Sequence, residues 1–412
     1  MNRTAAITPE VDQIGEATIT LRVSDGALTN STAFVLSVLQ RTPGAPTNIV
    51  LSSATVPENS SNGFVVGTFT AIDPDSTNHV FALLDSAGGR FSVQGSDLLV
   101  EAGALLDFET ASSHEILVSA TDSDNLSFSK TLIIQVLNVN EAPTFNVVDN
   151  SILETVTGLD TPMTRLQVGD PDAGTNSVSL RLQVTHGILT INSNLLTTVT
   201  NNGTSDVTLS GSLTNLNVLL ESIGGLLYRA TALGSGTDLL TATLDDKGHT
   251  GLGTNQVIFT TLGIRFYRSA YEQWLHAVFS EEERNDSTLE ATVWGVHADP
   301  DGDGIENLAE YALGTSAREP DAKPASSFIM DGDKKYLSLE INCRRDPNLR
   351  LSVEVAGDIA AGTWSSADSD LKTFAPIDLN DGFERVRFDD RTATSDAERR
   401  FLRMRWTLEN EE

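Results

Sequence analysis

Short runs in which apolar and polar residues alternate, separated by Gly, Pro, Asn, Asp or Ser, recur from residue 15 to residue 262 of this chain. Alternation at period two gives each strand one apolar face, so such a chain buries its apolar residues by packing sheet on sheet. The composition agrees, with 39% apolar but only 6% aromatic residues, and with Thr, Ser, Asn and Gly between the Val, Leu and Ile runs. A length of 412 residues allows about three domains, each able to bury its own core.

Fifty-seven acidic residues against 27 basic ones leave a formal net charge of −30. A chain of that balance repels nucleic acid and anionic membranes, and it repels itself unless cations condense on it. The single cysteine, Cys343, forms no internal disulfide, and no Cys/His cluster points to zinc or iron. No apolar run reaches the length of a membrane span, and the opening "MNRTAAITPE" lacks the apolar core of a signal peptide.

The segment "GEATITLRVSDGALTNSTAFVLSVLQ" predicts a hairpin turning at Asp25-Gly26. Residues 1–44 are too few to close a sandwich, so they are expected to be the last strands of a domain that begins upstream. Residues 45–142 and 143–262 each have the length and turn spacing of one sandwich, although "SLTNLNVLLESIGGLLY" also suits a short helix.

After Gly263 the period changes. Tyr271, Trp274, Leu275, Val278 and Phe279 follow helical spacing, with Ser269 and Glu272 as a capping box, and "IENLAEYAL" continues as helix to Gly314. Residues 263–322 therefore read as a helical segment, and 323–412 as a small C-terminal β domain. The expected class is mainly β: tandem antiparallel Greek-key sandwiches, a short helical linker built around an Asp-rich loop, and a C-terminal β-sandwich.

Between the helices lies "DPDGDGIENLAE". Asp299, Asp301 and Asp303 stand at alternate positions, where close carboxylates repel by about 4 kcal/mol per pair at an intermediate dielectric. A hard cation relieves that repulsion. The stretch fits the twelve-position calcium pattern throughout: three Asp ligands, Gly304 at the turn, the Ile305 carbonyl, a water near Asn307, and a bidentate Glu310. It resembles the calcium loops of EF-hands, dockerins and thrombospondin type 3 repeats. The long gap between the Ser269 helix and the loop argues for a structural site, not a paired sensor.

Residues 45–142 resemble a cadherin repeat through "VPEN", "AIDPDSTN", "LLDFET", "SATDSDN" and the linker "NVNEAP", in that order. The match in 143–262 is looser, resting on "GDPDAG", and is similar to cadherin-like repeats of large bacterial surface proteins. The resemblance implies calcium between repeats, held here by Glu58, Asp107, Glu109, Asn138, Asn140, Glu141, Asp170, Asp172 and Asp245. Asn138 stands where the family usually has Asp, and the linker is one residue shorter, which implies fewer ions. For the junction before residue 45 it implies Asp73, Asp75, Asn78, Asp122 and Asp124, opposite a linker that carries Arg41 and no acid. The C-terminal third is similar to the tails of large secreted proteins of Verrucomicrobia and Planctomycetes.

No nucleophile motif, zinc-protease motif or nucleotide loop occurs. His276 and His297 read as solvated side chains, Trp364 and Trp406 as packing residues, and Cys343 as a small buried hydrophobe. The expected function is non-enzymatic. It is a calcium-stiffened adhesion or stalk segment outside the cell, exported by a signal this sequence does not carry, that meets protein or glycan ligands, a second copy of itself included. It binds no nucleic acid and inserts in no membrane. The rival expectation is a set of accessory modules on a larger secreted enzyme, or a carbohydrate-binding protein.

Overall fold

The computed structural model describes residues 6–10, 13–40, 42–396 and 399–409; Arg41 lies outside them. The chain divides into two compact units, Met1–Glu141 with Gly248–Asn255, and Ala142–Lys247 with Gln256–Glu412.

In the first unit β1 (Gly15–Ser24) and β2 (Thr29–Val38) form a two-stranded ribbon. Asp25 makes the turn by accepting the amides of Ala27 and Leu28 at 2.9 and 2.8 Å, with Gly26 at φ 100°. Ala17 and Ile19 lie across from Leu36 and Phe34, which gives that end of the ribbon an apolar face, while Leu21 and Val23 lie across from Thr32 and Asn30. A sandwich follows, built from β3 (Asn48–Leu51), β4 (Thr55–Pro57), β5 (Val65–Ile72), β6 (Val80–Asp85), β7 (Phe91–Gln94), β8 (Asp97–Val100), β9 (Ser113–Thr121) and β10 (Ser127–Leu137). The sheets run β4-β10-β9-β6 and β3-β5-β8-β7, with β4 parallel to β10. Their inner faces meet in one core of Ile49, Val56, Phe69, Phe91, Leu98, Ile116, Val118 and Ile134.

The second unit opens with β11 (Thr144–Val147), β12 (Leu153–Val156), β13 (Thr161–Pro162), β14 (Leu166–Gly169), β15 (Ser177–Gln183), β16 (Gly187–Ile191), β17 (Thr198–Thr200) and β18 (Asp206–Ser212). Helix α1 (Leu213–Glu221), β19 (Leu226–Ala230), β20 (Gly236–Asp245) and β21 (Val257–Tyr267) complete a second sandwich. Its six-stranded sheet is ordered β12-β21-β20-β15-β18-β17 and faces β13-β19-β16. The ambiguous "LTNLNVLLE" is helical because Leu216, Leu219 and Leu220 fall on one face and are buried, and Ser212 caps it.

Helix α2 (Ala270–Val278) forms where expected, and Ser269 accepts the Glu272 amide at 3.1 Å. The reciprocal half of the expected capping box differs, because Glu272 accepts from Arg268, one residue earlier. The complete box belongs to α3 (Glu281–Asn285), between Ser280 and Glu283. Helix α4 (Asn307–Leu313) ends at Gly314 in the left-handed conformation, φ 73°. Tyr271 packs edge-on to Tyr311 and beside Trp274, which joins α2 to α4.

The C-terminal sandwich comprises β22 (Ser327–Asp331), β23 (Lys334–Arg344), β24 (Leu349–Ala356), β25 (Leu371–Thr373), β26 (Ile377–Asp378), β27 (Phe383–Asp390) and β28 (Phe401–Leu408). The sheets β22-β23-β27-β25 and β24-β28 enclose Leu339, Ile341, Cys343, Val353, Val355 and Val386. The protein is thus mainly β, built of tandem sandwiches. Among the described residues no helix is long and apolar enough to cross a membrane.

Candidate metal centres

The loop between α3 and α4 gathers carboxylate oxygens of Asp299, Asp301 and Asp303 within 4.8 Å of one another. Its backbone is bent by the acids themselves. Asp299 accepts the amides of Gly302 and Gly304 at 2.9 and 2.8 Å, and Asp303 accepts that of Ile305 at 2.7 Å. Gly302 and Gly304 take φ of 77° and 84°, which a side chain would strain. One Asp301 oxygen, Oδ2, is buried and accepts no hydrogen bond.

Glu310, the expected closing acid, lies in the first turn of α4. It is 1% exposed, and both carboxylate oxygens are buried without a hydrogen bond of ordinary geometry. Burial pushes its pKa up to about 7; the Thr315 hydroxyl opposes this, and the charges of Asp303, Asp301 and Asp321 add to it. Burial also raises the Asp301 carboxyl, helped by Asp303 and Asp299. A buried carboxylate without partners costs several kcal/mol unless a cation meets it. These hard oxygens, anionic and converging, fit a calcium ion.

Asn307, the ninth loop position, keeps its Oδ1 buried without a hydrogen bond. It is fully buried, and its amide nitrogen donates to the carbonyls of Val293 and Gly295 at 2.8 and 2.9 Å. Ile305 is buried at the loop's exit.

In the first unit Glu58, Glu109 and Glu141 bring carboxylate oxygens within 4.8 Å. Glu58 follows β4 and is 2% exposed. Glu109 accepts the Asn138 amide nitrogen at 2.8 Å, and Glu141 that of Asn59 at 2.7 Å. The Asn138 Oδ1 atom is buried and accepts no hydrogen bond. Asn140 is buried, its amide nitrogen donating to Thr254. Asp107 stands apart from this group: its two oxygens hold the Thr110 amide and hydroxyl, which keeps its pKa low.

The segment Gly248–Asn255 belongs to this cluster's surroundings, and nothing in the sequence pattern announced it. Leu252 donates to the Asn138 carbonyl at 2.8 Å, and its own carbonyl accepts from Asn140 at 2.9 Å. Gly251 allows this approach; a Cβ there would lie 2.1 Å from Asn138 Oδ1.

In the second unit Asp170 accepts the amides of Asp172 and Ala173 through one oxygen, while Oδ2 is buried without a partner. Burial raises its pKa, and the charges of Asp246 and Asp172 raise it further. The neighbouring charge is that of Asp246, one residue after the expected Asp245. Along β20 the buried positions are Ala242 and Leu244, and Asp246 continues that phase at 3% exposure. The signal was present in the alternation of "TATLDD", in which the second acid is the inward one.

The acids Asp73, Asp75 and Asp122 do not join a group of three among the described residues. Asp73 accepts the amides of Asp75 and Ser76 and pairs with His79 at 3.1 Å, which draws its pKa down to about 2. Asp75 accepts the Gly44 amide, and the Asn78 carbonyl accepts the Ser76 hydroxyl. Asp122 Oδ1 organises its turn by holding the amides of Asp124 and Leu126, leaving Oδ2 buried and unpartnered.

Residues 52–137 match the family model for the cadherin domain. The chain is 33% identical over 145 residues to protocadherin gamma-A3 of Homo sapiens, covering 32% of this chain and 16% of that protein. It is 28% identical over 273 residues to protocadherin Fat 4 of Homo sapiens, covering 63% and 5%. The chain therefore spans a small part of these relatives. Among solved structures, extracellular cadherin domains 3–6 of protocadherin gamma B2 align over 61% of this chain and 56% of that one, at 19% identity and a TM-score of 0.33. Mouse protocadherin-24 EC1-3 aligns over 61% and 79%, at 17% identity and a TM-score of 0.32. The β-sandwich that follows the N-terminal ribbon is thus a cadherin-like domain.

Proposed function

We propose that this chain is a calcium-binding, non-catalytic segment of a cell-adhesion or stalk protein outside the cell. The observation that carries the reading is the gathering of Glu58, Glu109 and Glu141 where the cadherin-like domain ends, next to an Asn138 oxygen that lacks a donor. Calcium at the linker acids, with Asp170, Asp172 and Asp246 following it in the chain, would stiffen the junction and let the protein carry load. The calcium loop of residues 299–310 resembles that of thrombospondin type 3 repeats and serves as a structural site. The partners are protein or glycan ligands at a cell surface, a second copy of the protein included. The looser second repeat and the C-terminal third favour a bacterial surface protein as the setting.

Small-angle scattering of the full chain tests the junction. A larger maximum dimension is expected in calcium than in chelator, and Glu109→Ala with Asp172→Ala should resemble the chelated form at every calcium level. Scattering curves that do not respond to calcium would contradict the stiffening role.

A further inference from the structure

We infer that Asp321, outside the twelve-residue loop, is a ligand of the cation held by residues 299–310. The inference rests on the calcium reading of that loop.

The loop on its own is short of donors. Calcium takes six to eight oxygens. Three Asp carboxylates, the Ile305 carbonyl and a bidentate Glu310 come to the lower bound, and the ninth loop position, which would bring a water, is an asparagine whose amide nitrogen is engaged elsewhere while its Oδ1 is buried without a hydrogen bond. Asn307 is fully buried and pinned through its amide nitrogen to the Val293 and Gly295 carbonyls. It serves as the peg that fixes the start of α4.

The segment after α4 returns to the loop. The backbone amide of Asp321 donates to Asp303 Oδ2 at 2.7 Å, which sets residue 321 directly against the third loop acid. Asp321 Oδ2 accepts the Ser316 amide at 2.8 Å, so the carboxylate is oriented by its own turn. Its other oxygen accepts no hydrogen bond among the described residues. The Asp321 charge is felt by Glu310, together with those of Asp301 and Asp303. Three acids from two points of the chain, Asp301 and Asp303 in the loop and Asp321 after α4, thus bear on the buried Glu310 carboxylate. An exposed acid that only made its turn would be under no constraint to lie in that company, since like charges this close repel. A divalent cation reverses the sign of the interaction and fastens residues 315–321 to the loop.

The test is calorimetric titration of the full chain with calcium at fixed pH and ionic strength. Asp321→Ala and Asp321→Asn are compared with Asp301→Ala/Asp303→Ala, and with Glu306→Gln. Glu306, at a loop position that supplies no proposed ligand, is an exposed carboxylate that pairs with His297 at 2.6 Å, so its substitution removes one charge and no ligand. Urea unfolding in chelator reports whether each variant folds. The expected result is that the double variant loses the site, both Asp321 variants weaken it about tenfold or more, the scale on which groups around a metal act, and Glu306→Gln leaves it within twofold. Unchanged affinity in both Asp321 variants, while the double variant loses the site, overturns this inference and spares the loop. Equal weakening by Glu306→Gln and Asp321→Asn also overturns it, reducing Asp321 to a distant charge. A wild-type chain whose calcium heats are untouched by Asp301→Ala/Asp303→Ala overturns the loop reading and this inference with it.

Discussion

Glu58 Oε1 accepts the backbone amide of Val139 at 2.7 Å, while its other oxygen accepts that of Phe108 at 2.6 Å. One buried carboxylate thereby ties the end of β4 to the segment before β9 and to the residue that leaves β10. A carboxylate that accepts two amides is held in one orientation before any ion arrives.

Glu58→Ala leaves two amides without their acceptor and should destabilise the first unit by about 2–4 kcal/mol even in chelator, the sum of two bonds to a charged group less what water restores. Urea unfolding followed in that unit measures it. Stability equal to wild type would mean that the two amides find other partners.

Asp238 provides the opposite case, an acid with a structural task and no metal company. It is 7% exposed and accepts the Tyr228 hydroxyl at 3.0 Å and the amides of Thr185 and His186 at 2.9 and 2.8 Å. Asp238→Ala should cost about 3 kcal/mol or more in the second sandwich, and by the same amount in calcium and in chelator. A calcium-dependent difference between variant and wild type would contradict that assignment.

Gly251→Ala tests the docking of residues 248–255 on the first unit. The position has φ 85°, and the added carbon would meet Asn138 Oδ1 at 2.1 Å and the Asn140 amide nitrogen at 2.4 Å. The bonds between Leu252 and residues 138 and 140 should open, seen as faster hydrogen exchange at Leu252 and Asn140. Unaltered exchange would show that the segment tolerates the carbon.

Acidification should reveal a destabilising contribution from His276 in the helical region, opposite in sign to that of Glu310, whose raised pKa favours folding as the pH falls. Burial lowers the His276 pKa, and the Arg284 guanidinium beside it lowers it further. The unfolded chain therefore takes up this proton first, near pH 6.5, and folding loses stability as the pH falls from there toward the lower folded value. The melting temperature of wild type should drop more between pH 7.5 and 5.5 than that of His276→Gln. Parallel pH profiles would remove His276 as the cause.

Much of this architecture is legible in the sequence, because alternation and turn residues act locally. The ribbon at Asp25-Gly26, the sandwich strands, α2 and the end of α4 at Gly314 all follow from period and capping. What the sequence hides depends on which acids meet across the fold. "DD" at 245–246 offers two carboxylates, and only the strand phase selects Asp246. The twelve-position loop is visible as a pattern, yet the pattern does not show that the Asn307 amide nitrogen is bound to the Val293 and Gly295 carbonyls. Asp73 stands in a ligand motif, and the motif does not show that His79 and two amides bind it. Pairings between distant segments, such as Leu252 with Asn138, leave no local trace.

Ion binding is the claim on which the rest depends, and equilibrium dialysis with radioactive calcium at 1 mM measures it most directly. An extracellular-type site with a Kd of about 10⁻⁴ M would be mostly filled at that concentration and would stabilise its surroundings by about 1.4 kcal/mol. The account predicts saturable binding of at least two ions per chain, one removed by Asp301→Ala/Asp303→Ala and another by Glu109→Ala with Glu141→Ala. A chain that binds no calcium above its diffuse counterion atmosphere, or whose bound calcium survives both pairs of substitutions, would contradict it.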